Sequence, residues 1–300
     1  GGALGAGKTT LVNHVLRTSR GLRLGVLVND FGDLDIDAEL IESAGTQTMS
    51  LRNGCICCSL GGGLTEALQV LRELPTPPEQ ILVEASGVSL PRRIAGAAGG
   101  PGLRLDGTLV VVDAVAVRNQ VVDRYVGETV REQLKSADLL VINKVDEVDS
   151  VKQAAIRKFI AEYAPGVPAV ETTHGAVPLE VILGPRPRAA SPAARVDHTG
   201  LAHTDLDTQS FECVEPLDPN VLNDWLNALP PGVLRIKGVA ELTGDLPAAC
   251  VVQVVGKRVR LTPYDATPTR SGARLVAIGA PGSLGDGFFA DLRSARKIRR

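Results

Sequence analysis

The chain has 300 residues, of which 44% are hydrophobic and 22% charged, with a formal net charge of −2. This is the composition of a globular protein with room for one large or two modest cores, and its charge gives no reason to expect a nucleic-acid partner. No apolar run approaches the ~20 residues needed to cross a bilayer, so the expectation is a cytoplasmic protein with no membrane partner. Five cysteines, three of them crowded together, disfavour a secreted disulfide framework and favour metal or redox chemistry.

Residues Gly2-Ala3-Leu4-Gly5-Ala6-Gly7-Lys8-Thr9 fit G-x-x-x-x-G-K-[ST], a loop whose backbone N–H groups converge on phosphate oxygens. Lys8 is placed to reach the β and γ phosphates, and the Thr9 hydroxyl to ligate Mg²⁺. A dinucleotide fingerprint would need glycine at position 10, where the chain has Thr10. Behind the loop, Leu11, Val12, Val15 and Leu16 share one face of a helix over 8–19. Short apolar segments follow at 22–29, 80–85, 107–114 and 137–144, and read as strands buried on both faces of a parallel sheet. Helical patterns alternate with them, such as Leu64, Leu68 and Leu71 at i, i+4, i+7, which implies βαβ units.

Chemistry clusters at the ends of those segments. Glu84, in "VEASG", is a natural carboxylate for Mg²⁺ or its water, with Gly87 able to sense a γ-phosphate through its N–H. "NKVD", Asn143 to Asp146, suits guanine: Asn143 meets the ring edge, and the Asp146 carboxylate accepts from donors that adenine does not offer in that pattern. Cys55, Cys57 and Cys58 share no single face of a helix or strand, so the backbone must curl at Asn53-Gly54 for the thiols to converge. Three thiolates suit Zn²⁺ or a soft ion such as Cu(I) and leave one tetrahedral position open. Asp33, Asp35, Asp37, His174 or a partner protein are the candidate fourth donors. A redox pair and inert packing are the competing readings of the cluster.

From 184 to 208 the chain is rich in Pro and Ala and reads as a linker, with only His198 and His203 to collect metal. It separates a domain at 1–183 from one at 209–300, where strands, a helix carrying Trp225 and a closing helix suggest a small α+β unit. Cys213 and Cys250 read as core residues. The basic stretch 293–300 reads as a solvated tail.

With GxxxxGKTT, NDFG, GCICC, ExSG and NKxD in that order, the chain resembles the CobW-type branch of the SIMIBI-class metal-homeostasis GTPases. The resemblance implies an α/β P-loop NTPase with a mostly parallel sheet and flanking helices, joined to a small α+β C-terminal domain. It implies a low-turnover, Mg²⁺-dependent GTPase that loads Zn²⁺, or in some members Co²⁺, into a client metalloprotein. The implied nucleotide set is Gly5, Ala6, Gly7, Lys8, Thr9 and Thr10, with Gly87, and with Asn143, Lys144 and Asp146 at the base. Lys8 and Glu84 serve hydrolysis, and Cys55, Cys57 and Cys58 hold the metal. Members have a strand feeding the phosphate loop, and the expectation is that this strand is missing from the present chain. A homodimer is compatible with the reading. The alternatives are a nucleotide-gated metal sensor or store that does not hydrolyse GTP, and a partitioning-type ATPase. The latter needs a second lysine early in its loop, where Ala3 and Leu4 stand.

Overall fold

The computed structural model describes residues 1–19, 21–28, 47–50, 62–87, 89–97, 102–185, 206–244, 249–264 and 271–294. The chain divides into two compact units, Gly1–Leu179 and Glu180–Arg300.

The first unit is built on parallel strands. β1 (Leu24–Val28), β2 (Gln47–Ser50) and β3 (Gln80–Glu84) form one ladder in the order β2-β1-β3. β4 (Leu109–Asp113), β5 (Leu139–Asn143) and β6 (Ala169–Glu171) form another in the order β4-β5-β6. Beside β4 runs the start of the phosphate loop: the Val111 N–H donates to Gly1 O at 2.8 Å, and Gly2 bridges Val111 in parallel. β1 and β5 are buried along their whole length, as their Val/Leu/Ile runs predict. β3 departs from that expectation. It lies at the end of its ladder, and its first four residues are only half-buried.

Helices close over these strands. In α1 (Lys8–Thr18) the predicted face of Leu11, Val12, Val15 and Leu16 is buried. In α2 (Gly62–Glu73), Leu64, Leu68 and Leu71 are all buried and pack with Leu27 of β1, each contributing roughly 1.5–3 kcal/mol by burial. α3 (Pro91–Ala97), α4 (Val117–Val122), α5 (Gly127–Ser136) and α6 (Ser150–Tyr163) complete the set. Val117, Val121, Val130, Leu134, Ile156 and Ile160 join the core around β4 and β5. A short α7 (Leu179–Leu183) follows.

The second unit is an antiparallel sheet of β7 (Asp207–Cys213), β8 (Val233–Glu241), β9 (Ala249–Val255), β10 (Arg258–Pro263) and β11 (Ala273–Gly279), in the order β10-β9-β8-β11-β7. The alternating stretch "VVQVVGKRVRL" is a hairpin: β9 and β10 pair across Gly256-Lys257, where Gly256 has φ 51°. α8 (Pro219–Asn227) starts with Pro219 behind Asp218, whose carboxylate accepts from the Asn220 N–H at 2.8 Å. Its Trp225 stacks on Phe289, and the indole N–H donates to Phe288 O at 3.1 Å. α9 (Ala290–Ser294) closes this core, in which Cys213 and Cys250 are buried as expected. Burial pushes the Cys250 thiol above its ordinary range.

No helix among the described residues is long and apolar enough to cross a membrane. The predicted linker, with His198 and His203, lies largely outside those residues.

One buried histidine locks α1 in place. His14 Nε2–H donates to Val177 O at 3.0 Å, and burial, against the pull of that bond, lowers its pKa below the ordinary 6.5; Arg17 lowers it further. Protonation therefore favours the unfolded chain. The stability that neutral His14 contributes is complete above about pH 6.5 and is lost as pH falls through the lowered folded value. Urea unfolding of the first unit should show a smaller loss between pH 7.5 and 5.5 in His14→Gln than in the parent; equal losses would contradict this.

Candidate functional site

The carboxyl ends of parallel strands are where open α/β sheets gather their ligands. Here the phosphate loop lies at that end. Gly5 and Gly7 have φ of 76° and 98°, left-handed values that favour glycine. Gly7 caps α1, which has no side-chain cap and no acid in its first turn. The positive end of α1 is thus suited to an anion. Lys8 is buried and its ammonium donates to Ala3 O at 3.1 Å, across the loop. Thr10 is exposed.

Thr9 and Glu84 meet. The Thr9 hydroxyl donates to Glu84 Oε1 at 3.0 Å, although 75 residues separate them. Glu84 is 5% exposed at the end of β3, level with Val28 at the end of β1. Beyond it the chain turns at Ser86, whose hydroxyl lies 2.7 Å from that of Ser89. Gly87 rests on the phosphate loop: a Cβ there would lie 2.7 Å from Leu4 N and 2.9 Å from Leu4 Cα. The buried Gln133 of α5 holds this turn from behind, donating to Gly87 O at 3.0 Å and Ser89 O at 2.9 Å.

On the other side stands Asn143, 2% exposed at the end of β5. Its amide Nδ2–H donates to Ala6 O at 2.9 Å and its Oδ1 accepts from the Gly175 N–H at 3.0 Å. A Cβ on Gly7 would overlap Asn143 Nδ2, so both glycine positions beside this amide are constrained; Gly175 is closed by Leu11, whose N and Cα would lie 2.9 Å from a Cβ. A carboxamide has two donor hydrogens and an oxygen with two lone pairs, so each end of Asn143 keeps capacity for a second partner.

Lys144 follows in the left-handed region, φ 63°, a conformation that costs a non-glycine residue roughly 1–2 kcal/mol. Its ammonium donates to Asp113 Oδ2 at 2.6 Å, and that hydrogen bond, reinforced by the Asp113 charge, raises its pKa above the ordinary 10.5. Asp146 is exposed in the short 3-10 turn Val145–Glu147.

The structure therefore brings Gly5, Ala6, Gly7, Lys8, Thr9, Glu84, Gly87, Asn143 and Lys144 around one loop, with Asp146 on the turn that follows Asn143. His174 is exposed, with φ 51°, next to Gly175. Cys55, Cys57, Cys58, Asp33, Asp35 and Asp37 lie outside the described residues, among which no three His, Cys, Asp or Glu side chains could hold a metal ion together. Two residues of the site escape the sequence reading, Asp113 and Gln133. Asp113 had a signal: like Glu84 it is an acid closing an apolar strand. Gln133 had none, because its partners are more than 40 residues away.

Residues 1–171 match the family model described as the CobW/HypB/UreG nucleotide-binding domain. The chain belongs to the CobW/HypB/UreG family. Residues 206–287 match the cobalamin synthesis protein cobW C-terminal domain. The chain is 30% identical to the zinc chaperone CobW of a Sinorhizobium species over 93% of its own length and 90% of the relative's. It is 35% identical to the zinc chaperone CobW of Pseudomonas aeruginosa, over 86% and 79% respectively. The solved Zn(II)-bound YjiA GTPase from Escherichia coli overlays it at 21% identity with a TM-score of 0.45, covering 99% of this chain and 97% of that one.

In this CobW-family site the contact of Gly87 with Leu4 leaves no room for a side chain. Gly87→Ala should cost about 1–3 kcal/mol of stability, the usual range for overpacking, in denaturant unfolding of the first unit; a cost near zero would mean that the loop yields freely.

Proposed function

We propose that this CobW-family chain is a slow GTPase that carries Zn²⁺ and passes it to a client metalloprotein. The observation that supports this most strongly is the meeting of three elements at one sheet end: the phosphate loop, the Thr9–Glu84 pair and Asn143. Relatives named zinc chaperones, of similar length, support zinc as the cargo.

On this reading the N–H groups of Gly5 to Thr10 and the Lys8 ammonium bind the triphosphate, and the present bond from Lys8 to Ala3 O holds that side chain folded over the loop. The Thr9 hydroxyl and Glu84 carboxylate are hard oxygen donors in contact beside the phosphate loop, a donor set that fits Mg²⁺. Mg²⁺ held there would neutralise charge on the β and γ phosphates. Glu84 orients water for attack, and Gly87 reports the γ-phosphate to the turn that Gln133 supports. Asn143 and Asp146 read guanine, with Lys144 beside the base.

The metal is proposed to ride on Cys55, Cys57 and Cys58, with Asp33 or His174 among the candidate further donors. Ser50, at the end of β2, is level with Val28 and hence with Glu84, about two strand spacings or ~10 Å across the ladder. Cys55 follows Ser50 by five residues, a tether of at most ~18 Å. A γ-phosphate response that reaches these thiols is the coupling that a GTP-gated carrier requires. The reduced cytoplasm is the compartment in which such thiols stay available. Co²⁺ as an alternative cargo and a homodimer as the working state belong to the same proposal.

Asp146→Asn should weaken GTP binding by on the order of tenfold to a hundredfold while leaving Zn²⁺ affinity unchanged, because one charge-assisted hydrogen bond is worth about 1.5–3 kcal/mol. Equal GTP affinity in calorimetry would defeat the base assignment. Cys57→Ala should lower Zn²⁺ affinity about tenfold or more in competition with a chelator, and an unchanged curve would remove the cysteines from the metal site. GTP turnover that does not exceed buffer hydrolysis, with or without Zn²⁺, would favour a sensor or store over a carrier.

A further inference from the structure

We infer that Asp113 is a positioning residue for base selection, setting the guanine-reading turn by clamping Lys144 in its left-handed conformation. This rests on the reading of Asn143 and Asp146 as the guanine site.

Asp113 closes β4 and stands directly across from Asn143 in the parallel ladder. The two strand ends are joined again just beyond, where the Ala114 N–H donates to Asn143 O at 3.0 Å. The Asp113 carboxylate is buried and fixed from two sides. Oδ1 accepts from the N–H groups of Val115 at 2.8 Å and Ala116 at 3.1 Å, while Oδ2 accepts from the Lys144 ammonium at 2.6 Å. An acid so held cannot follow Lys144; Lys144 must come to it.

That demand falls on an unusual backbone. A lysine gains nothing intrinsic from a left-handed conformation, which persists only where the surroundings over-determine it. Neighbouring peptides are tied as well: the Glu147 N–H donates to Lys144 O at 3.1 Å and the Val145 N–H to Thr172 O at 3.4 Å. Lys144 lies between Asn143, which is anchored to the phosphate loop, and Asp146, which is exposed. Its φ and ψ therefore decide where the Asp146 carboxylate stands relative to the Asn143 amide. Without the ion pair the turn is left to neutral hydrogen bonds, those just named and the Gln153 amide donating to Val145 O at 2.8 Å and Val148 O at 3.1 Å, and relaxation of Lys144 toward right-handed backbone carries Asp146 off while Asn143 and the phosphate loop stay in place. The loss then falls on guanine and not on phosphate.

The test is calorimetric binding of GDP and ADP, with Mg²⁺, to the full chain and to Asp113→Asn, Lys144→Met and the double variant. Asp113→Asn keeps an oxygen for Val115 and Ala116 but loses the charge. It should weaken GDP on the order of tenfold, leave ADP within about twofold, and so lower the guanine-to-adenine ratio about tenfold. Lys144→Met should do the same, and the double variant should be no worse than either single one. An unchanged ratio in Asp113→Asn, or additive losses in the double variant, overturns the inference. A parent protein that binds GDP and ADP alike overturns the guanine reading itself, and with it this inference; that failure is seen before any variant is made.

Discussion

The buried amide of Asn143 ties three segments that the chain separates widely. It is anchored at the end of β5, donates to the phosphate loop at Ala6 and accepts from Gly175, and the space it fills explains why a side chain at Gly7 would not fit. A buried polar group with partners at both ends stabilises the fold far more than its separate hydrogen bonds suggest, because losing either partner leaves the other desolvated. The loop that would hold phosphate is thus tied directly to the strand end that leads into the turn that would hold a base.

Around Asn143 the sheet ends deliver two acids with different surroundings. Glu84 reaches a hydroxyl of α1, and Asp113 reaches an ammonium and two backbone N–H groups. Both close an apolar strand, and both are buried. Their partners differ because the chain turns differently after each: β3 runs on to Ser86 and the glycine that touches Leu4, whereas β4 passes straight into the Val115–Ala116 turn before α4. The same position in a βαβ unit thereby reaches the phosphate loop in one case and the turn after β5 in the other.

Much of this was legible in the residues. The faces of α1 and α2 followed from apolar spacing, and the strands β1, β4 and β5 from their Val/Leu/Ile runs, because burial on both faces leaves a continuous signature; β3 carries the same kind of run but is only half-buried over its first four residues. β2 and β6 escaped: "QTMS" is polar and four residues long, "AVE" only three, and neither is long enough to display a period. For the site, the motifs marked Lys8, Thr9, Glu84 and Asn143, but local pattern does not show that Asn143 also braces a loop 137 residues away. The Gln133 amide acts through tertiary partners, and Asp113 joins its own turn to Lys144, 31 residues away. The cysteines and Asp33, which carry the metal proposal, fall outside the described residues.

Among the described residues the C-terminal sheet ends on β10, which pairs with β9 on one side. Unpaired strand rims are templates for uncontrolled polymer growth. Here Arg258 and Arg260 punctuate the rim and Pro263, which lacks an N–H, terminates it. Two copies approaching rim to rim would set guanidinium against guanidinium and find a donor missing, so fibre-like stacking along this border is penalised by the chain's own chemistry.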